Sequence, residues 1–120
     1  MQKKQYKDLR SSRWFSPDDV RSFGHRSRAM QMGLGKDDWE NKPIIGIINT
    51  WSEIQPCPQH FKQRVEDVKK GVYQSGGLPI ELPAISLAEM YVKPTTMLYR
   101  NMLSMEVEEL IRSHPIDGVV

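Results

Sequence analysis

Between Pro43 and Thr50 the chain reads PIIGIINT, an apolar run with a single glycine and no charge. A near-continuous run of this kind suits a strand covered on both faces, the usual state of a parallel sheet between helices. The segments that follow fit the same plan. Phe61, Val65, Val68 and Val72 recur at helical spacing until SGG at 75–77 stops the helix. LPIELP, 78–83, reads as a short second strand, and Ala84 to Pro94 is irregular. A long helix is predicted from near PTTM at 94–97, with Tyr99, Leu103, Val107 and Leu110 on one face and Glu106, Glu108 and Glu109 mostly off it. Met97, Met102 and Met105 read as core filler. His114 and Pro115 end that helix, and IDGVV at 116–120 begins a third strand. Strands alternating with helices predict an α/β fold, a parallel sheet flanked by helices in βαβ units.

Upstream, SPDD at 16–19 has the composition of a helix start. Ser16 suits the cap, Pro17 the first helical position, and Asp18 and Asp19 complement the dipole. The helix is predicted to run to about Met32 and stop at GLG, 33–35, with KDDWENKP as a polar connection. Positive charge is concentrated here: Lys3, Lys4, Lys7, Arg10, Arg13, Arg21, Arg26 and Arg28 face only Asp8, Asp18 and Asp19. Such a run reads either as an arm for an anionic partner or, as charge runs more often do, as a solvated terminus packed by a few aromatics. Residues 1–42 are therefore expected to form a basic arm and helix, and 43–120 the first part of the α/β unit.

At 120 residues the chain has the length of about one domain. Its net charge of +2 is too small to argue for a nucleic-acid partner. No apolar stretch approaches the roughly 18–20 residues that a membrane span needs. The start, MQKKQYKDLRSSRWF, is polar and basic without the apolar core of a secretory signal. Cys57 is the single cysteine, so no internal disulfide forms, which fits a reducing cytoplasm. Val120 falls inside the third predicted strand, and a buried parallel strand needs a further helix to cover it. The expectation is an N-terminal piece of a longer protein.

Chemistry in open α/β sheets collects beyond the carboxyl ends of the strands. Asn49 to His60 follows the first strand and carries Cys57; Ala84 to Pro94 follows the second and carries Glu89. Both loops should open on one rim. Cys57 lies between prolines near a helix start, where the dipole favours thiolate, the form that ligates soft metals and iron–sulfur clusters. A lone cysteine is more often a small buried hydrophobe, and one Cys with one His completes neither a cluster nor a zinc site. His60 reads as a helix-start hydrogen-bonding residue before it reads as a ligand. Glu89 suits a hard cation only with further oxygen ligands, and is otherwise a solvated carboxylate. Asn49, Thr50 and Ser52 suit polar substrate contacts or ordinary strand-end turns.

KPIIGIINTWSEIQPCPQHF, GGLPIELPAISLAE and PTTMLYRNMLSMEVEELIRSHPIDGVV together resemble the N-terminal region of the dihydroxy-acid and 6-phosphogluconate dehydratase family. The resemblance runs from about Arg10 to Val120, and NTWSEIQPC and KPTTMLYRN resemble the sugar-acid branch more than the branched-chain amino-acid branch. It implies a hydro-lyase that removes water from a 2,3-dihydroxy acid to give a 2-keto-3-deoxy acid. It further implies an iron–sulfur cluster, two-iron rather than four-iron, with Cys57 as one ligand, and Mg²⁺ with Glu89 as one ligand. The remaining ligands and the proton-abstracting serine would fall beyond Val120. The implied partner is a small sugar-acid substrate, and the implied full-length enzyme is a homodimer or homotetramer. Two alternatives stand beside this: a dihydroxy-acid dehydratase of branched-chain amino-acid synthesis, and a non-catalytic remnant or binding piece.

Overall fold

The computed structural model describes residues 4–120; Lys3, counted in the basic run, lies outside them. Three strands are present among the described residues, β1 (Ile44–Asn49), β2 (Leu78–Pro83) and β3 (Gly118–Val119). All are parallel, in the order β2-β1-β3. The helices are α1 (Ser12–Phe15), α2 (Val20–Gln31), α3 (Lys36–Trp39), α4 (Phe61–Gln74) and α5 (Arg100–Ser113), with 3₁₀ turns at Tyr6–Asp8 and Thr96–Leu98. The two predicted βαβ units are thus β1-α4-β2 and β2-α5-β3. No helix of the described residues is long and apolar enough to cross a membrane.

Period-two alternation sorts β1 onto two faces. Ile44 packs with Leu78 and Trp39 in a buried cluster extended by Phe15, Leu34 and Ile80. Phe15 and Trp39 stack with ring centroids 5.1 Å apart. The opposite face meets α4: a Cβ at Gly77 would lie 3.1 Å from Val72 and 3.3 Å from Ile45, so a larger residue would make these side chains give way where helix end and strand start approach. The apolar run is buried at Ile44, Gly46 and Ile47, while Ile45 and Ile48 remain half-exposed.

Part of the 4–42 segment packs against the sheet, with Phe15, Leu34 and Trp39 joining its buried cluster. KDDWENKP, expected as a connection, forms α3 and supplies Trp39 to the core. The second helix begins later than SPDD implied. Asp19 is its cap, accepting from the Ser22 N–H at 2.7 Å, whereas Ser16 ends α1. Asp19 has the extended backbone that a cap requires; Ser16 is already helical. The predicted stops hold. Gly33 and Gly76 adopt φ of +84° and +82°. Bonds from Leu34 N to Ala29 O and from Gly77 N to Val72 O close Schellman motifs.

The basic segment is partly consumed internally. Arg10 donates to the carbonyls of Ile111 (2.7 Å) and Arg112 at the carboxyl end of α5, where a cation offsets the helix dipole. Arg26 donates to the carbonyls of Phe15 and Pro17, both at 2.8 Å. Asp117, just before β3, accepts from Ser11 N (2.9 Å), Ser11 Oγ (2.5 Å) and Ile44 N (2.8 Å), joining the first turn of the chain to two strands.

The methionines are a correction. Met97, Met102 and Met105 are 69%, 57% and 67% exposed, and α5 has no buried residue. Leu103, Val107 and Leu110 are half-buried, so the helix rests on the molecule by that edge while its methionines face outward.

Candidate functional site

The site is built where β1 and β2 end side by side. Asn49 pairs with Pro83 in the parallel register, and Ala84 N donates to Asn49 O at 2.9 Å. The Asn49 side chain is buried and committed: Nδ2 donates to Glu81 Oε1, and Oδ1 accepts from Trp51 N, both at 2.9 Å. It starts the first loop as an Asx turn, the strand-end role among its two expected ones. Lys69 of α4 pairs with Glu81 at 3.1 Å. Burial pushes the Glu81 carboxyl up, but the bonds from Asn49 and Lys69 outweigh it and hold the group below the usual range. Lys69 is held above its usual value, first by its bond to Glu66 and then by Glu81, against the opposing effect of burial.

The first loop then runs across the rim. Ser52 Oγ donates to Ser86 Oγ at 2.9 Å, and Gln55 Nε2 donates to Leu87 O, so the two loops are tied directly. Pro56 to Gln59 form a turn in which Gln59 N donates to Pro56 O at 3.3 Å. Pro58 is buried beneath this turn and Cys57 is exposed at its apex, which removes the reading of Cys57 as a small core hydrophobe. His60 stands at the cap position of α4, yet its side chain makes no capping bond. Its backbone is already helical (φ −67°, ψ −16°), outside the extended geometry that side-chain caps use, and its ring lies edge-on to Phe61 at 4.5 Å. The expected helix-start hydrogen bond is absent.

The second loop holds Glu89. Thr96 N donates to Glu89 Oε2 at 3.0 Å, and the Thr96 hydroxyl donates to the same oxygen. Thr96 is 2% exposed, whereas Glu89 faces solvent. The Thr96 hydroxyl is the main cause that lowers the Glu89 carboxyl below its usual value; the Thr95 hydroxyl, the Thr96 N–H and the charge of Arg100 add to it, against slight desolvation. Below the loop, Ile85 N donates to Glu106 Oε2 at 2.8 Å, which gives that glutamate a role its position off the apolar face had not suggested.

Between the loops and α5 lies an open cleft of about 470 Å³. Thr50, Gln55, Thr96, Arg100 and Ser104 supply its polar lining, and Ile85, Leu87 and Leu103 belong to its apolar lining. A larger hollow of about 700 Å³, lined by Phe15, Phe23, Met30 and Trp39 among others, lies against α1 to α3 and contains none of the rim residues. Among the described residues no three His, Cys, Asp or Glu side chains gather as a metal-holding group. Cys57 and Glu89 thus lie on adjacent, bonded loops, each as a single donor. Gln55, Ser86, Thr96 and Arg100 were not singled out from sequence. Only the Pro-Thr-Thr run was a local clue, as hydroxyls before a helix commonly cap it.

A family model described as dihydroxy-acid/6-phosphogluconate dehydratase N-terminal matches residues 42–120. The chain is 56% identical over 117 residues to a 6-deoxy-6-sulfo-D-gluconate dehydratase of Pseudomonas putida, covering 98% of this chain and 20% of that protein. It is 46% identical over 112 residues to an L-arabonate dehydratase of Azospirillum brasilense, covering 93% and 19%. With a D-xylonate dehydratase of Caulobacter vibrioides it shares 35% over 115 residues, again 93% and 19%. The chain therefore spans about a fifth of the length of the curated relatives it matches.

Proposed function

Because the chain belongs to the dihydroxy-acid/6-phosphogluconate dehydratase family, we propose that it is the N-terminal portion of a hydro-lyase that dehydrates a sugar acid to a 2-keto-3-deoxy acid. The observation that carries this reading is the 56% identity to a sugar-acid dehydratase over 98% of the chain. Sugar-acid relatives are 56%, 46% and 35% identical, against 31% and 35% for dihydroxy-acid dehydratases of a Mycobacterium and of Methanobrevibacter smithii, and the two highest values favour an aldonic acid over a branched-chain substrate.

The donor chemistry of the rim fits the two groups that the family resemblance implies. Cys57 offers an exposed thiol at a turn fixed by buried Pro58, a soft ligand for a two-iron cluster. Glu89 offers an oriented, readily ionised carboxylate, a hard ligand for Mg²⁺. When bound, such groups supply Lewis acidity to a departing 3-hydroxyl and positive charge to a substrate carboxylate. The chain's own contribution is placement. Ser52–Ser86 and Gln55–Leu87 fix the two loops against each other, so that the soft and hard donors share one rim. The cleft beside them presents Thr50, Gln55 and Arg100, groups suited to the hydroxyls and carboxylate of an aldonic acid. Asn49 and Ser52 support this rim from within, and His60 stands beside it at the start of α4, a further polar group open to substrate. The full-length enzyme is a homodimer or homotetramer.

The test is to express the full-length parent anaerobically and assay 2-keto-3-deoxy acid formation from a panel of aldonic acids, a 6-sulfo acid and a branched-chain dihydroxy acid. Turnover of an aldonic or sulfo acid with loss of cluster absorbance in Cys57→Ser is expected. Turnover of the branched-chain acid alone overturns the substrate class, and full cluster content in Cys57→Ser overturns the ligand assignment. The 120-residue chain by itself should form no stable, stoichiometric cluster on iron–sulfide reconstitution; if it does, its donor set is complete without further residues.

A further inference from the structure

Glu89 is an exposed glutamate whose carboxylate is nonetheless fixed from one side. Its Oε2 accepts from both the backbone N–H (3.0 Å) and the hydroxyl of Thr96, a residue that is 2% exposed. An exposed glutamate ordinarily keeps its rotamer freedom, and pinning it costs side-chain entropy that the two Thr96 bonds must offset. Two donors converging on one oxygen restrict how the group can turn. Thr96 is itself held: Thr95 caps the following 3₁₀ turn through Met97 N at 3.3 Å, and Thr96 lines the cleft with Arg100 and Gln55. A buried threonine thus holds an exposed carboxylate on the second loop.

We infer that Thr96 is a positioning residue for Glu89, orienting its carboxylate to ligate a divalent cation. This rests on the reading of Glu89 as a hard-cation ligand. Hydrogen-bond donors behind a ligating carboxylate fix its orientation and so raise metal affinity, and their loss typically weakens binding by 10–100-fold. If the contact served only to close the loop, its removal would lower stability and leave metal affinity alone.

The experiment uses Mn²⁺ as the probe, titrated into the full-length parent enzyme, with free Mn²⁺ read by electron paramagnetic resonance and thermal midpoints recorded alongside. Thr96→Val should weaken Mn²⁺ binding by roughly tenfold or more, while Thr96→Ser, which keeps the hydroxyl, stays close to the parent. Glu89→Gln should weaken it further. Parent-like affinity in Thr96→Val beside weak binding in Glu89→Gln overturns the positioning role and leaves the ligand reading standing. Parent-like affinity in Glu89→Gln overturns the ligand reading itself. Should the valine variant not fold, Thr96→Ala against Thr96→Ser makes the same comparison. In the 120-residue chain, Glu89→Gln should move the Thr96 amide proton resonance upfield, and an unmoved resonance overturns the contact.

Discussion

The two ends of the sheet are built by different means. At the amino end of β1, Trp39, Ile44 and Leu78 are buried together, and Asp117 gathers three donors from Ser11 and Ile44. At the carboxyl end, the loops are tied by side chains, Ser52 to Ser86 and Gln55 to Leu87, and they leave Cys57 and Glu89 in solvent. One end therefore draws on apolar burial and the Asp117 bonds, and the other on side-chain hydrogen bonds, neutral between the loops and charge-assisted at Glu81, Glu89 and Glu106. The lesson is a division of labour common to open α/β sheets: residues that hold the fold lie at one edge, and the other edge is free to carry reactive side chains.

That contrast is open to direct attack, most forcefully at Trp39. Trp39→Ala removes the largest side chain of the buried cluster and should cost about 4 kcal/mol, seen as a large fall in the urea midpoint; a loss under about 1 kcal/mol would mean the cluster does not anchor the fold. Next is Asp117→Ala, which strands the Ile44 N–H and both Ser11 donors. About 3 kcal/mol of destabilisation is expected, and Asp117→Asn should recover part of it. A near-neutral Asp117→Ala would erase the distinction between the two ends.

Acid should act more gently, because the groups concerned are exposed and screened. Asp19, Glu81 and Glu89 are each held below their ordinary values of 3.8, 4.5 and 4.5. A carboxylate depressed in the folded state contributes stability above its unfolded value and loses it as pH falls through the folded one. Thermal midpoints should therefore hold down to the ordinary carboxylate values and decline below them, less steeply in Glu89→Gln. A profile that is the same in Glu89→Gln would show that the Thr96 contact does not favour the ionised form. The smallest effect is Cys57→Ser in the 120-residue chain, within about 0.5 kcal/mol of the parent. A larger loss would make Cys57 part of the scaffold instead of the rim.

Much of the fold was legible because its signals are local. The apolar run at 43–50, the valine spacing after Phe61 and the glycines at 33 and 76 act through burial, period and φ, all of which a short window contains. The first helix start was misplaced by a local ambiguity, since Ser16 and Asp19 both suit a cap and only backbone geometry separates them. Trp39 hid in a polar stretch because its partners, Phe15 and Leu78, lie far along the chain. Met102 and Met105 failed in the opposite direction: apolar character in a helix does not say which face meets the sheet. At the candidate site, the loops that carry Cys57 and Glu89 were legible, but the residues that tie and hold those loops were not.

By itself, the sequence determined the α/β class, the parallel order of strand and helix, and the family, because apolar period, turn residues and motif are written along the chain. Only the tertiary structure decided that Phe15, Leu34 and Trp39 pack on one face of the sheet, that Asp117 joins Ser11 to β1, and that Thr96 holds Glu89. These depend on which distant segments meet. A hydrogen bond or a buried contact is fixed by separations of a few ångströms in space, which separation along the chain does not specify.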